Sequence, residues 1–233
     1  MYPGSIGVRL GLMRPSRYGR PTQRREDQFL EEYAYVLDFL PQGNPLDKHP
    51  VHRVNPVAQI IGTRFFTLLE VHPKPGVTLE IGEKVYIGKG IRDKIGNIFG
   101  RIDFEDLTSI AQSNLKPTIK KIILEQERVF VEFFNIAQAI TLKLHALELL
   151  PGIGKKHLVM ILEERKRGSF KNFEDLKKRT RIQDPADVLA ERIIEELKGG
   201  QKYYLFIKPK PGTQAIFLNY LGILYKRSSG ESL

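Results

Sequence analysis

The chain has 233 residues, of which 37 are Lys or Arg and 27 are Asp or Glu, so its formal net charge is +10. Because it contains no cysteine, disulfide scaffolds, thiolate zinc sites and cysteine nucleophiles are excluded. No stretch approaches the ~20 apolar residues of a membrane span, and the N-terminus lacks the apolar core of a signal peptide. These features predict a cytoplasmic protein with no membrane partner, and the excess of positive charge favours a polyanionic partner.

Arginine is concentrated at the start of the chain. Residues 1–25 contain six arginines and no acidic residue, within a segment rich in Gly and Pro. Low hydrophobicity and high charge predict a flexible basic tail over these residues. Arg-rich segments can order on RNA by stacking on bases and pairing with phosphates. A tail that only keeps the protein soluble is the alternative.

Short apolar runs broken by turn residues follow the tail. They predict five strands, at residues 33–40, 57–61, 65–71, 84–87 and 98–102. No helix-length segment separates neighbouring runs, so we expect the strands to pair in antiparallel orientation. Five short strands followed by a helix indicate a small closed or partly open barrel, which we assign to a domain of residues 26–114.

Beyond residue 103 the apolar residues recur at helical spacing. Helices are predicted over residues 104–113, from Pro117 to a break near Asn135, and over residues 141–150, 155–167, 173–179 and 185–198. Asn172 and Asp184 are suitable N-caps for the last two helices. We therefore expect an all-helical domain at residues 115–200. The C-terminal segment comprises residues 201–233, and within it residues 202–208 predict a strand that returns to the barrel. For the whole chain these elements predict a multidomain α+β fold.

A Pro-Gly-Ile-Gly turn joins two of the predicted helices. Gly152 and Gly154 permit positive φ and the close approach of another backbone, and Ile153 between them can anchor the turn in the core. The next helix begins at once, so its free N–H groups and positive dipole end point out of the turn, beside Lys155 and Lys156. Such a surface suits a phosphate oxygen. Because no group here reaches a base edge, binding is predicted to be largely independent of sequence.

Residues 147–179, which read LELLPGIGKKHLVMILEERKRGSF and then FEDLKKR, resemble the helix-hairpin-helix family. In that family the hairpin amides grip the backbone of a nucleic acid strand. The resemblance therefore implies a set of phosphate contacts at Gly152, Ile153, Gly154, Lys155 and Lys156.

The helix-hairpin-helix motif commonly occurs twice, related by a pseudo-two-fold axis. The resemblance implies a second copy at residues 176–197, in which Ile182 corresponds to Ile153. Arg181 and Gln183 stand where the glycines would be, so this copy is expected to keep the packing role and to lose the amide grip. Arg179 and Arg181 remain candidate phosphate contacts.

Three further segments resemble an uncharacterised archaeal family that joins an OB-like barrel to a helix-hairpin-helix unit. They are FNIAQAITLKLHALELLPGIGKK, GEKVYIGKGIRDKIG and KYYLFIK, and the likeness covers about residues 30–210. It implies an RNA- or nucleotide-binding protein without an assigned activity. OB barrels bind single strands by aromatic stacking in a basic groove, which makes five residues candidate contacts: Tyr86, Lys89, Arg92, Lys94 and Arg101.

Together these observations predict a non-catalytic nucleic-acid-binding protein, with RNA favoured over DNA and an association with the ribosome or RNA polymerase as an extension. No cofactor and no metal site are predicted. Two alternatives remain open. One is a metal-dependent nuclease or repair factor that uses the acids of residues 103–106. The other is a module that docks proteins.

Overall fold

The computed structural model describes residues 30–45 and 50–229, and the predicted basic tail lies outside them. The five strands of one antiparallel sheet pair in the order β4-β1-β2-β3-β5. They are β1 (Tyr33–Leu40), β2 (Val57–Gly62), β3 (Leu68–Pro73), β4 (Lys84–Tyr86) and β5 (Ile95–Arg101). The sheet curls into a half-barrel. The α+β class and the antiparallel sheet predicted from the sequence are confirmed.

The sheet is buried on both faces at its strands β1 and β2. Alternate residues of the strands pack into one apolar cluster, which includes Ala34, Val36, Ala58, Ile60, Leu69, Val71 and Val85. The opposite face meets the first long helix, α1 (Ser109–Glu125). Tyr35 donates its hydroxyl to Glu125 at 2.5 Å, and Asn114 Nδ2 donates to the Leu37 carbonyl at 3.0 Å. Burial on two sides explains why β1 and β2 have almost continuous apolar sequences.

The third strand begins three residues later than predicted. Residues 63–67 form a turn, in which Phe66 has φ +54°. The buried carboxylate of Glu31 accepts the amides of Arg64, Phe65 and Thr67 at 2.8, 2.9 and 3.1 Å. Since Glu31 already takes the amide hydrogens of this segment, they are not available to a sheet ladder.

Pro117 does not begin a helix, contrary to the prediction. It lies inside α1, which begins at Ser109 with Thr108 as its N-cap. The predicted helix 104–113 is instead a 3-10 turn, Phe104–Asp106, followed by the first turn of α1. A proline removes one helical hydrogen bond. Burial offsets this loss, because Leu115, Thr118 and Ile119 beside the proline lie in the core. Lys116 Nζ adds surface ion pairs, at 3.0 Å from Asp187 and 2.8 Å from Glu191.

The predicted helix 141–150 is absent from the described structure. After α2 (Glu127–Ile136), the chain forms a short hairpin of β6 (Ala139–Thr141) and β7 (Leu144–His145), then a 3-10 turn, Ala146–Leu149. The Thr141 hydroxyl accepts the Lys143 amide at 3.3 Å, which closes a turn where a helix would have begun.

The remaining helices agree with the predictions to within one residue: α3 (Lys155–Arg167), α4 (Phe173–Thr180) and α5 (Pro185–Lys198). The C-terminal segment differs. Strand β8 (Tyr203–Tyr204) pairs in parallel with β9 (Ile216–Phe217) in a separate two-stranded sheet, and α6 (Tyr220–Ser229) follows. No helix in the described part of the chain has the length and apolar character needed to cross a bilayer. The domain boundaries stay predictions.

Candidate nucleic-acid interface

The loop of residues 150–154 is anchored from its buried side. It joins the 3-10 turn Ala146–Leu149 to α3, and Ile153 has only 5% of its surface exposed. The Ile153 amide donates to the Leu150 carbonyl at 3.1 Å, which closes the turn. Gly152 has φ +77°, a conformation in which an L side chain would be strained. One buried side chain and one glycine thus define the shape of the loop.

Gly154 forms the open side of this loop. It is the N-cap of α3, with φ −90° and ψ −177°, and no side chain caps the helix. A Cβ atom at this position would meet no atom within 4 Å. Neither backbone strain nor internal packing therefore requires a glycine here. Because the first N–H groups of a helix have no partner within it, the bare N-cap leaves them open to an external acceptor, preferably an anion.

The two lysines after the loop have different surroundings. Lys155 Nζ lies 2.9 Å from Glu148 Oε1 and donates to the Lys143 carbonyl at 2.8 Å. The hydrogen bond from Lys155, followed by that from the His145 amide, holds the pKa of Glu148 below its usual value. The ammonium group of Lys156 is exposed and has no ion pair or hydrogen bond with any described residue. Of the two lysines, Lys156 carries the uncompensated charge.

A second turn contributes to the same surface. Residues 180–184 join α4 to α5, and Ile182, which we matched to Ile153, is also 5% exposed. Arg181 has a left-handed conformation, φ +60°, and its exposed guanidinium forms no ion pair or hydrogen bond with another residue in the described ranges. Arg181 lines an open hollow together with five residues of the first loop and α3: Gly154, Lys155, Lys156, His157 and Met160. We call this hollow the basic depression.

Arg179, in contrast, is held by the protein itself. Its guanidinium lies 3.2 Å from both Glu164 and Asp175, donates to the Gly168 carbonyl at 2.8 Å and sits over the Phe170 ring at 4.5 Å. These contacts tie the end of α3 to α4. Arg179 is therefore not among the phosphate contacts that we propose.

Three of the predicted barrel contacts lie together in the loop after β4. The Gly90 amide donates to the Tyr86 hydroxyl at 3.1 Å, and Arg92 Nε donates to the Gly88 carbonyl at 3.0 Å. Lys89 lies between these two glycines and is exposed. The loop is thus folded against the Tyr86 side chain, and it places one aromatic ring beside two cations.

The other two barrel candidates are separated from each other. Lys94 precedes β5 and forms an ion pair with Glu83, whereas Arg101 is the last residue of this strand. At a strand rise of 3.2–3.4 Å per residue, they are about 20 Å apart. Tyr33 was not predicted as a contact; it is 44% exposed and packs edge-on against Tyr86 with ring centroids 5.3 Å apart. Only the pairing of β1 with β4 brings these rings together.

His145 precedes the first loop and is buried. Its Nδ1 accepts the Leu147 amide at 3.1 Å, and its own amide donates to Glu148 at 2.8 Å. Burial, followed by the nearby charge of Arg165, lowers the pKa of the imidazole. His145 therefore caps the 3-10 turn as a neutral group.

The lowered pKa of His145 predicts a dependence of stability on pH. As pH falls through about 6.5, this histidine is protonated in the unfolded chain before it is protonated in the folded protein. The free energy of unfolding is therefore unaffected by His145 above that pH and declines below it. Asn at this position keeps an N-cap acceptor but does not titrate. We expect the free energy of unfolding in urea to fall less for His145→Asn than for wild type between about pH 7.5 and about pH 5.5. Equal losses in the two proteins would contradict this assignment.

The fold and the basic depression define a class: an α+β protein in which a half-barrel sheet accompanies a helical segment with an exposed cationic surface. The chain belongs to the family described as "Protein of unknown function (DUF655)", whose family model matches residues 30–208.

Two archaeal proteins are similar to the chain. "Uncharacterized protein MJ0038" of Methanocaldococcus jannaschii is 44% identical over 192 residues, which are 82% of this chain and 86% of that protein. The crystal structure of Af1531 from Archaeoglobus fulgidus, described as family-model DUF655, has a TM-score of 0.71 and 48% identity, and the match covers 76% of this chain and 100% of that chain. The resemblance to an archaeal family is thereby confirmed.

Proposed function

We propose that this protein is a non-catalytic nucleic-acid-binding protein that grips the sugar–phosphate backbone and prefers RNA to DNA. The basic depression carries the proposal, because the bare N-cap at Gly154 and the cations of Lys156 and Arg181 share one exposed surface. Backbone amides fix the position of a phosphate, and the cations supply charge. Contacts of this kind hold a strand without selecting its sequence.

A helix-hairpin-helix interpretation of residues 147–198 supports this proposal. Each of the two turns has a buried isoleucine, Ile153 or Ile182, and each is followed by a helix. In the first copy a 3-10 turn replaces the leading helix. In the second copy Arg181 takes the place of a glycine, so this copy supplies a cation instead of free amides.

The half-barrel sheet supports the proposal of a second surface that contacts the nucleic acid. A five-stranded, partly open antiparallel barrel is the OB architecture, which binds single strands in basic grooves with stacking aromatics. The rings of Tyr33 and Tyr86, beside Lys89 and Arg92, offer both kinds of contact. Accessible bases are a feature of single-stranded RNA and its loops. Crosslinking in native cells, followed by sequencing, tests the extension to ribosomal RNA or transcripts.

Binding measured against salt concentration tests the main proposal. Fluorescence anisotropy compares a single-stranded RNA with the single-stranded and duplex DNA of the same sequence. We expect log K to fall linearly with log salt, with a slope of about −0.7 for each phosphate neutralised on a single strand. RNA should bind most tightly. A flat response would remove the proposal, and equal affinities for RNA and DNA would remove the RNA preference alone.

Alanine variants of the cations in the basic depression test these contacts, with Lys155 as the matched control for Lys156. Lys156→Ala and Arg181→Ala should each make the slope of log K against log salt shallower by about 0.7 and weaken binding roughly three- to tenfold. Neither should change Tm, because both side chains are exposed and form no ion pair or hydrogen bond with other described residues. Lys155→Ala should change the slope less, since Glu148 already compensates this charge. Identical slopes in all variants and the wild type would place the contacts elsewhere.

The nuclease alternative depends on Asp103 and Asp106. Asp103 forms an ion pair with Lys210 at 2.7 Å, and its amide donates to Asp106 Oδ2 at 3.2 Å, so both carboxylates have local roles. Incubation of labelled RNA and DNA with Mg²⁺ or Mn²⁺ distinguishes the functions. Cleavage by the wild type that is lost in both Asp103→Ala and Asp106→Ala would overturn the non-catalytic proposal.

A further inference from the structure

The tip of the β6–β7 hairpin lies beside the basic depression. Lys155, the first residue of α3, donates from Nζ to the carbonyl of Lys143 in this tip at 2.8 Å. The tip is therefore within the length of one lysine side chain of the depression. At the base of the hairpin, the Ala146 amide donates to the Gln138 carbonyl at 2.9 Å. The hairpin is thus closed at its base, and its tip is tied to α3 through Lys155.

Leu142 occupies the tip and is fully exposed. Its relative exposure of 107% exceeds that of every other large apolar side chain in the described residues. Turns of this kind favour Gly, Asn, Asp or Ser, and here the Thr141 hydroxyl closes the turn by accepting the Lys143 amide at 3.3 Å. Leucine is therefore required neither by the turn nor by packing.

The charges around Leu142 indicate the chemistry of its partner. Lys143 is exposed, and its ammonium group has no partner among the described residues. Lys156 is the second uncompensated cation of this region. Isolated exposed apolar residues are common in proteins. Leu142 differs because it adjoins a free cation, Lys143, in a tip that is bonded to the surface suited to phosphate. This setting favours a polyanion with an apolar face over a protein partner.

We propose that Leu142 is a wedge that lies against the bases of the strand whose phosphate occupies the basic depression. This inference rests on the proposed function and identifies the class of ligand. A lysine side chain is about as long as the path from a phosphate to its own base, so a strand held at the depression brings a base to the tip. Apolar side chains, leucine included, insert between bases and unstack them. The preferred ligand is thus single-stranded or looped RNA.

A fluorescent base reports directly on the wedge. An RNA oligonucleotide with one 2-aminopurine, which brightens when it is unstacked, is titrated with the full chain. We expect a rise in fluorescence with wild type that Leu142→Phe retains and Leu142→Ala loses. Leu142→Ala should also weaken binding about tenfold without changing the salt slope, because no phosphate contact is removed. Its Tm should equal that of wild type, since the side chain is fully exposed.

Val54→Ala is the matched control, because Val54 is an exposed apolar residue, at 75%, in another loop. It should behave as wild type in every measurement. If Leu142→Ala brightened the probe as wild type does, the wedge would be wrong while the phosphate contacts stood. If wild type bound no RNA, both proposals would fail. If Leu142→Ala bound RNA normally but lost a protein partner, the tip would be a docking site instead.

Discussion

Glu196→Gln is expected to lower the free energy of unfolding by about 3–5 kcal/mol. The Glu196 side chain is 0% exposed, and its carboxylate receives Arg192 Nε at 2.9 Å. It also accepts three consecutive amides, those of Leu205, Phe206 and Ile207, at 2.7, 2.8 and 2.8 Å. Glutamine offers one acceptor oxygen and turns an NH₂ group toward these donors. In one orientation of the glutamine amide the Phe206 and Ile207 amides lose their acceptor, and in the other the Leu205 amide and Arg192 Nε lose theirs. Either way, two donors would be buried without a partner.

Glu195→Gln is the matched control for this experiment. Glu195 also pairs with Arg192, at 3.3 Å, but its side chain is 45% exposed, so its loss should cost at most about 1 kcal/mol. Urea denaturation measures both variants. Hydrogen exchange of the amides at residues 205–207 should accelerate in Glu196→Gln alone, because the C-terminal segment loses its attachment to α5. Equal losses of stability in the two variants would show that burial of this carboxylate is not what matters.

The parts of the fold that could be predicted from the sequence are those determined by neighbouring residues. Helices α4 and α5 begin where their caps predict, because Asn172 accepts the Asp175 amide at 2.8 Å and Asp184 accepts the Asp187 amide at 3.0 Å. Strand β1 was predicted at its observed bounds, since its apolar run ends at turn residues. Signals of this kind lie within four residues of the feature that they determine.

The parts that could not be predicted depend on residues distant in sequence. Glu31 takes the amides of Arg64, Phe65 and Thr67, and Glu196 takes those of residues 205–207, so both segments leave the strand pattern that their composition indicates. Pro117 remains within a helix because that helix packs against β1 and α5, with Leu115 and Ile119 buried. Composition and periodicity do not report such pairings.

The same distinction applies to the candidate site. The Pro-Gly-Ile-Gly turn was found from its residues alone, because glycine spacing and the following lysines are local features. Which lysine is free was not predictable, since Glu148 faces Lys155 only once His145 and Glu148 have capped the 3-10 turn. Leu142 was missed because its segment was assigned to a helix, and only the hairpin exposes it.

Gly154→Ser should change stability and binding in opposite directions. The N-cap backbone is already extended and has open space around it, so a serine hydroxyl can accept an amide of the first turn of α3. A serine N-cap stabilises a helix by a few tenths of a kcal/mol relative to glycine. The same hydroxyl occupies the position that we assign to a phosphate oxygen. One charge-assisted hydrogen bond contributes about 1.5–3 kcal/mol, so affinity for RNA should fall at least about tenfold.

Gly154→Asp extends the comparison. A carboxylate is an equally good N-cap and interacts favourably with the helix dipole, so Tm should again rise slightly. Its negative charge would repel a phosphate, so binding should be weaker still than in Gly154→Ser. Thermal unfolding and anisotropy titration, measured on the same samples, separate the two effects. Because a damaged fold would lower Tm, a loss of affinity with a higher Tm arises at the N-cap itself, and in Gly154→Ser it isolates the blocked amide. Wild-type affinity in both variants would show that the amides of this helix end hold no phosphate.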